Sequence, residues 1–159
     1  PILERSRGVA VLKTGKIDST FGMIRLNHLH PPFDNPKVRQ AMYKIINQED
    51  FLRTVVGNPA YYKVCHGLIT CGSPLENKGG SAMLAGYDPK GAAAAFRAAG
   101  YKGEPITILH ATDHVTINPL TQVMIQAMRE AGLNLDIQAM DWGSVVQRRA
   151  KKEPPAQGG

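Results

Sequence analysis

The sequence predicts an α/β fold in which helices pack on a mixed sheet. Its clearest sign is a β-α-β pattern, with an apolar strand over residues 105–110, an amphipathic helix over 119–131 and an alternating strand over 133–139. A unit of this kind pairs two parallel strands through a right-handed crossover. The 159 residues suffice for one hydrophobic core and show no internal repeat or boundary, so we expect a single domain over residues 1–159.

Two further strands are expected before the first helix. Residues 9–13 alternate weakly and contain β-branched side chains, which favours a short strand. Residues 21–28 have the composition of a second strand. Pro31 and Pro32 end it, because proline cannot continue a hydrogen-bonded ladder.

Capping residues mark the first two helices. Asn35 followed by Pro36 predicts one start, because asparagine accepts hydrogen bonds at an N-cap and proline suits the first helical position. Asn47 caps a second, short helix that Gly57 ends. The first helix carries an apolar stripe formed by Val38, Ala41, Met42, Ile45 and Ile46.

The middle of the chain is expected to be irregular before helical structure resumes. Residues 57–87 are rich in Gly, Pro, Asn and Ser, and long loops of this kind in compact domains are functional or tied down. Asp88-Pro89 then predicts a helix that Gly100 stops. Its narrow stripe consists of Ala92, Ala95, Phe96 and Ala99.

The last two helices follow the same logic. Asn118-Pro119 opens the helix of the β-α-β unit, and Asp141 caps a final helix over residues 142–150. Residues 151–159 contain nothing that could pack, so we expect a flexible tail there. Both ends of the chain have the character of cut ends.

Composition and motifs argue against several function classes. The net charge is +6, but the basic residues are spread along the chain without interleaved aromatic residues, so no nucleic-acid partner is predicted. No run approaches the ~18 apolar residues that a membrane span needs. Phosphate-binding loops, nucleophile elbows and zinc-protease motifs are absent from the sequence, so we predict neither catalysis nor a cofactor.

Cys65 and Cys71 are the only cysteines, and they bracket a five-residue loop. A disulfide closing this loop is the favoured interpretation, and it suits an oxidising compartment. A metal site is a second interpretation, with His66 as the one obvious additional ligand where zinc takes four. Two unrelated free thiols are the third.

The histidines form two local pairs. His28 and His30 make a His-x-His pattern that could bind a metal, although solvent-facing histidines are the commoner explanation. His110 and His114 flank the turn between the 105–110 strand and the following helix. Ligands bind at the carboxyl ends of strands in open α/β sheets, so this turn is an equally good candidate for function and for an ordinary loop.

Trp142 is the only tryptophan, and Arg149 lies seven residues later on the same face of the last helix. An aromatic plate beside a guanidinium suits a ligand that bears a carboxylate. Spacing alone favours the simpler arrangement, in which the tryptophan packs on the sheet edge and Arg148 and Arg149 are solvated.

Several stretches, taken in order, resemble the extracellular solute-binding protein family 5, the peptide, dipeptide and nickel binders of ABC importers. The resemblance covers about residues 20–150, and its most specific run is Pro-Pro-Phe-Asp-Asn-Pro-x-Val-Arg over residues 31–39. The other matching stretches are Leu26-Asn27, Ile46–Glu49, Tyr87–Lys90, Ala98–Tyr101, Gly132–Asn134 and Asp141-Trp142.

The resemblance implies a lobe like those of type II periplasmic binding proteins, and specifically part of the C-terminal lobe of a two-lobed protein whose first lobe is missing here. It implies a periplasmic or lipid-anchored protein that delivers peptide-like or related small-molecule solute to ABC permease subunits in the inner membrane. Trp142, Arg149, His114 and Thr116 fall at positions that line or approach the family's ligand cavity. The family's further tryptophan and an acidic residue would lie beyond Gly159.

One alternative stays open at this point. It is a stand-alone metal-binding or enzymatic α/β domain that uses His28, His30 and the cysteines.

Overall fold

A computed structural model describes residues 2–12, 20–67 and 69–151. Its sheet has two parallel strands, β1 (Ile106–Ala111) and β2 (Leu135–Met140), paired from Ile106 with Leu135 to Ala111 with Met140. Helix α5 (Ile117–Glu130) joins them, which confirms the predicted β-α-β unit and the α/β class. Within these ranges no helix has the length and apolar character to cross a membrane.

The remaining helices are short and lie before and after this unit. In chain order they are α1 (Pro36–Ala41), α2 (Gln48–Val55), α3 (Ser81–Leu84), α4 (Ala92–Ala98) and α6 (Trp142–Arg148). Single 3-10 turns cover Leu3–Arg5, Met42–Lys44 and Pro59–Tyr61. The two faces of the sheet take different helices, because the apolar residues Ile106 and Leu135 join the core with α5 while Gln138, on the other face, meets α6.

Asn35 shows why the first helix begins where the sequence places it. Its side chain accepts from Lys37 N at 2.9 Å, which satisfies an otherwise unpaired N–H of the first turn. Asn35 Nδ2 also donates to Ala99 O at 2.8 Å and so ties α1 to the end of α4. One asparagine thus caps a helix and joins two parts of the chain 64 residues apart.

The core lies where α1, α4, α5 and the sheet meet. Phe96 is 1% exposed and contacts Tyr101 edge to face, with ring centroids 6.3 Å apart. Val38 is equally buried. The other core residues are Phe33, Ala41, Met42, Ile45, Ala92, Tyr101, Ile106, Met124, Met128, Ala131 and Leu133. The helical stripes predicted for residues 38–46 and 92–99 therefore face the core, apart from the half-buried Ile46, Ala95 and Ala99 at its margin.

Both strands predicted before α1 are wrong over the described residues. Residues 9–12 and 21–27 form no strand, and Lys13 lies outside the described residues. A strand needs a neighbouring strand to pair with its backbone N–H and C=O groups, and the described sheet pairs only β1 with β2. The side chains of these segments alternate as they do in strands, but the described sheet offers no neighbouring strand for them to pair with.

Two helix starts also differ from expectation. Asp88 Oδ1 accepts from Gly91 N at 3.0 Å and forms a turn before the helix, so α4 begins at Ala92 rather than after Asp88. Helix α5 begins at Ile117, ahead of Asn118, whose side chain donates to Thr112 O instead of capping the helix. The predicted tail over 151–159 lies outside the described residues after Lys151.

Cys65 and Cys71 are joined by a disulfide, which confirms the favoured interpretation of this pair. The loop is also attached to the first turn of α2. Gln48 Nε2 donates to Cys65 O at 2.6 Å, and Cys65 N donates to Gln48 Oε1 at 3.0 Å. Tyr62 hydroxyl donates to Glu49 Oε1, and this hydrogen bond is the main cause that raises the pKa of Tyr62.

Replacing both cysteines by serine is expected to lower the free energy of unfolding by about 2 kcal/mol, because the bridge restricts a short loop in the unfolded chain. Denaturant unfolding measures this change. Adding a reductant should destabilise the wild-type chain and leave the double variant unchanged. Equal stability of the two proteins under oxidising conditions would show that Gln48 and Glu49 alone hold the loop.

Candidate functional site

The two loops that leave the carboxyl ends of the strands lie side by side. Because β1 and β2 are parallel and in register, the segment after Ala111 and the segment after Met140 emerge at the same edge of the sheet. Thr112 N donates to Met140 O at 3.0 Å and extends the ladder by one bond. This edge is where open α/β sheets bind ligands.

His114 and Trp142 meet at this edge. Their ring centroids are 5.1 Å apart and the planes are inclined by 70°, an edge-to-face arrangement favoured by the aromatic quadrupole. Trp142 is the first residue of α6 and His114 belongs to the β1–α5 loop. Both side chains are half-buried, so each keeps surface available to a ligand.

Arg149 lies over the same tryptophan. Its Cζ is 5.7 Å from the centroid of the Trp142 ring, within the range of a cation–π interaction. The spacing of seven residues puts both side chains on one face of α6, as the sequence predicts. Arg149 is exposed, and the pair presents a flat aromatic surface next to a guanidinium.

The neighbouring Arg148 has a different environment. Its guanidinium donates to Gln138 Oε1 on β2, and Gln138 Nε2 donates to Asp136 Oδ2 at 2.6 Å. Arg148 is therefore held over the sheet and the two consecutive arginines are not equivalent.

Backbone donors at the start of α5 orient the imidazole of His114. Nδ1 of His114 accepts from Thr116 N and Ile117 N, each at 3.2 Å. In the neutral ring this leaves the hydrogen on Nε2. Thr116, the N-cap residue of α5, is exposed and its side chain makes no capping hydrogen bond. Three of the predicted ligand residues thus meet at one edge, with Thr116 at its rim.

Asp141 organises the start of α6 in the predicted way. Its Oδ1 accepts from Ser144 N at 2.9 Å, and the Ser144 hydroxyl donates to Oδ2 at 2.6 Å. The hydroxyl and then the backbone N–H of Ser144 lower the pKa of Asp141, because both stabilise the ionised carboxylate. The cap fixes the first turn, which carries Trp142.

Sequence reasoning missed two residues at this edge. Asp113 Oδ1 accepts from Trp142 N at 2.8 Å. Asn118 Nδ2 donates to Thr112 O at 2.9 Å, and its Oδ1 accepts from His110 Nε2 at 2.8 Å. Asp113 belongs to the turn between His110 and His114, and Asn118 lies in the first turn of α5. The linear sequence does not show which groups these side chains bond.

His110 is not part of the cluster formed by His114 and Trp142. It is half-buried, bonded to Asn118, and points to the face of the sheet that α5 covers, beside Ile137 in a groove with Ile125. The two histidines of the turn therefore have separate surroundings. His110 lies on the face of the sheet under α5, and His114 lies at the carboxyl edge of the strands.

The alternative metal site lacks support. Across residues 2–12, 20–67 and 69–151 there is no group of three His, Cys, Asp or Glu side chains that could hold a metal ion. The disulfide also removes both cysteine thiolates as ligands. His28 is exposed and His30 is half-buried in the segment before α1.

The chain is thus an α/β unit with an aromatic ring and a guanidinium at the carboxyl edge of its parallel strands. The chain belongs to the bacterial extracellular solute-binding proteins, family 5 Middle, whose model matches residues 2–157. This result confirms the resemblance seen in residues 20–150.

Individual relatives agree with this family. The "Probable peptide ABC transporter periplasmic-binding protein y4tO" of Sinorhizobium fredii is 34% identical over 162 aligned residues, covering 100% of this chain and 30% of that protein. The glutathione-binding protein GsiB is 30% identical in Pectobacterium atrosepticum and 28% identical in Escherichia coli K12, covering 96% and 98% of this chain. The chain spans less than a third of each relative, 28–30%.

The fold has a counterpart among solved structures. The crystal structure of the ABC transporter substrate-binding protein CtaP from Listeria monocytogenes superposes with a TM-score of 0.65 at 16% identity. The superposition covers 79% of this chain and 25% of that chain. It confirms that the helices and parallel strands form the fold of a substrate-binding protein.

Proposed function

We propose that the chain is part of the substrate-binding component of an ABC importer and captures a peptide-like solute for transport. One observation carries the proposal: His114, Trp142 and Arg149 meet at the carboxyl edge of the parallel strands. These side chains, with Thr116 at the rim, contact the solute in the proposed complex. The relatives named above add the expected class, because their names refer to peptide transport and to glutathione binding.

The chemistry of the cluster favours a solute with a flat or apolar portion and a carboxylate. The indole of Trp142 packs against the flat or apolar portion, and the guanidinium of Arg149 can donate two parallel hydrogen bonds to the carboxylate. Peptides and glutathione carry both features. Val115, between His114 and Thr116, is 87% exposed and adds apolar surface to the same loop.

We further propose that this chain forms part of the C-terminal lobe of a two-lobed protein. Large apolar side chains are exposed along the segment before α1, among them Leu12 at 87% and Met23 at 74%. In the proposed whole protein another part of the chain covers these side chains. In the proposed whole protein a first lobe closes over the cluster, and the closed form is presented to permease subunits in the inner membrane from the periplasm.

Catalysis and nucleic-acid binding have no part in this proposal. His114 Nδ1 accepts backbone N–H groups and is not bonded to the Thr116 hydroxyl, so the cluster lacks the hydroxyl–base pair that covalent catalysis uses. Arg148 is bonded to Gln138, and the basic residues are spread along the chain without interleaved aromatic residues.

The proposal is tested by calorimetry with a panel of dipeptides, oligopeptides and glutathione. The panel is titrated into this chain and into a two-lobed protein that contains it. We expect the two-lobed protein to bind at least one peptide and this chain to bind weakly or not at all. Equal binding by both would remove the need for a first lobe, and no binding of any peptide by either would overturn the peptide assignment.

A further inference from the structure

Asp113 joins the two loops of the candidate site. Its Oδ1 accepts from Trp142 N at 2.8 Å, across 29 residues of sequence. Trp142 is the first residue of α6, and the first N–H groups of a helix have no partner within it. The helix's own cap, Asp141, bonds Ser144 instead, so the carboxylate that pairs with Trp142 comes from the other loop.

The loop that carries Asp113 is itself held on both sides. Thr112 N donates to Met140 O at 3.0 Å, and Asn118 Nδ2 donates to Thr112 O at 2.9 Å. The next residue after Asp113 is His114, whose Nδ1 accepts from the backbone N–H groups of Thr116, the N-cap, and Ile117, the first residue of α5. Hydrogen bonds to β2 and α5 therefore fix the loop from which Asp113 bonds the backbone of α6.

We infer that Asp113 is a positioning residue that sets where the indole of Trp142 stands against His114. The inference rests on the proposed function for its effect on solute binding, but its effect on Trp142 does not. The carboxylate of Asp113 accepts its hydrogen bond from the backbone of Trp142 and not from the indole, so this bond places the ring without using the indole N–H. The β1–α5 loop therefore holds both rings of the His114–Trp142 pair, whose centroids are 5.1 Å apart. It carries His114 itself, and through Asp113 it bonds the backbone of Trp142.

The single tryptophan of this chain supplies a direct readout. In Asp113→Ala the hydrogen bond is lost, and we expect Trp142 emission to shift to longer wavelength and acrylamide quenching to increase. Asp113→Asn keeps an oxygen acceptor at the same position and should restore both values. Asp136→Ala is the matched control, because this exposed aspartate near the amino end of β2 contacts Gln138 and Thr107 instead. Circular dichroism checks that each variant is folded.

The same variants, placed in the two-lobed protein, are titrated with the peptide panel. We expect Asp113→Ala to weaken binding about tenfold, the effect of one lost hydrogen bond, and Asp113→Asn, which keeps a neutral acceptor, to remain near wild type. Unchanged emission and quenching in Asp113→Ala would overturn the inference. A changed emission with unchanged affinity would overturn its second part, the effect of Asp113 on solute binding. If emission changes as expected while the wild-type protein binds no peptide, the placing of Trp142 stands and the proposed function fails.

Discussion

Trp142→Ala in the two-lobed protein is expected to weaken peptide binding about 30-fold, because a half-buried tryptophan at the centre of a contact commonly contributes 2 kcal/mol or more. The ring supplies the flat surface of the cluster and also supports the guanidinium of Arg149 at 5.7 Å. Removing the ring therefore takes away its own contact with the solute and leaves the guanidinium of Arg149 without support. Isothermal calorimetry with the tightest peptide of the panel measures the change.

Arg149 offers an independent check of the same surface. Arg149→Ala should also lose affinity, and Arg149→Lys should recover only part of it, because an ammonium cannot form two parallel hydrogen bonds with a carboxylate. Arg97→Ala is the control, since Arg97 is an exposed arginine in the last turn of α4. Wild-type affinity in a folded Trp142→Ala protein would show that the solute binds elsewhere.

Phe96→Ala is expected to lower the free energy of unfolding by about 3–5 kcal/mol, since it removes a buried ring and leaves a cavity. Phe96 is 1% exposed and packs against Tyr101, whose hydroxyl donates to Glu104 O and accepts from Asn134 N. The cavity would therefore lie beside the contact between α4 and the segment that leads into β2. Chemical denaturation followed by circular dichroism gives the free energy.

Phe21→Ala provides the comparison for this experiment. It makes the same change of side chain at a position that is 57% exposed in this chain. Surface changes of this kind are usually within about 0.5 kcal/mol. A loss of stability at Phe21 as large as that at Phe96 would mean that the segment before α1 packs on the core in solution.

Much of the fold could be predicted because its signals are local. Asn35, Asn47 and Asp141 each accept a backbone N–H from a residue two or three positions later, so the cap and its target are neighbours in sequence. The stripe around Val38 needs only helical spacing. The strands of residues 9–13 and 21–28 could not be settled in this way, because a strand depends on a partner that the local sequence does not contain.

The sequence predicted the four residues Trp142, Arg149, His114 and Thr116 of the candidate site, but it did not predict most of the contacts between them. Trp142 and Arg149 stand on one helix, and their pairing follows from the spacing of seven residues. His114 joins them because two parallel strands end together, a consequence of register between segments 29 residues apart. Their role as solute contacts stays a prediction that the binding experiments test.

The sequence by itself determined the caps at Asn35, Asn47 and Asp141, the apolar stripes, the β-α-β unit and the family, and it favoured the Cys65–Cys71 disulfide. Each depends on residues close in the chain or on a conserved order of short motifs. Only the tertiary structure decided that Asp113 bonds the backbone of Trp142, that Asn118 separates His110 from the edge cluster, and that Arg148 and Arg149 differ. The physical reason is that hydrogen bonds and ring contacts between distant segments depend on strand register and helix packing, which no local pattern specifies.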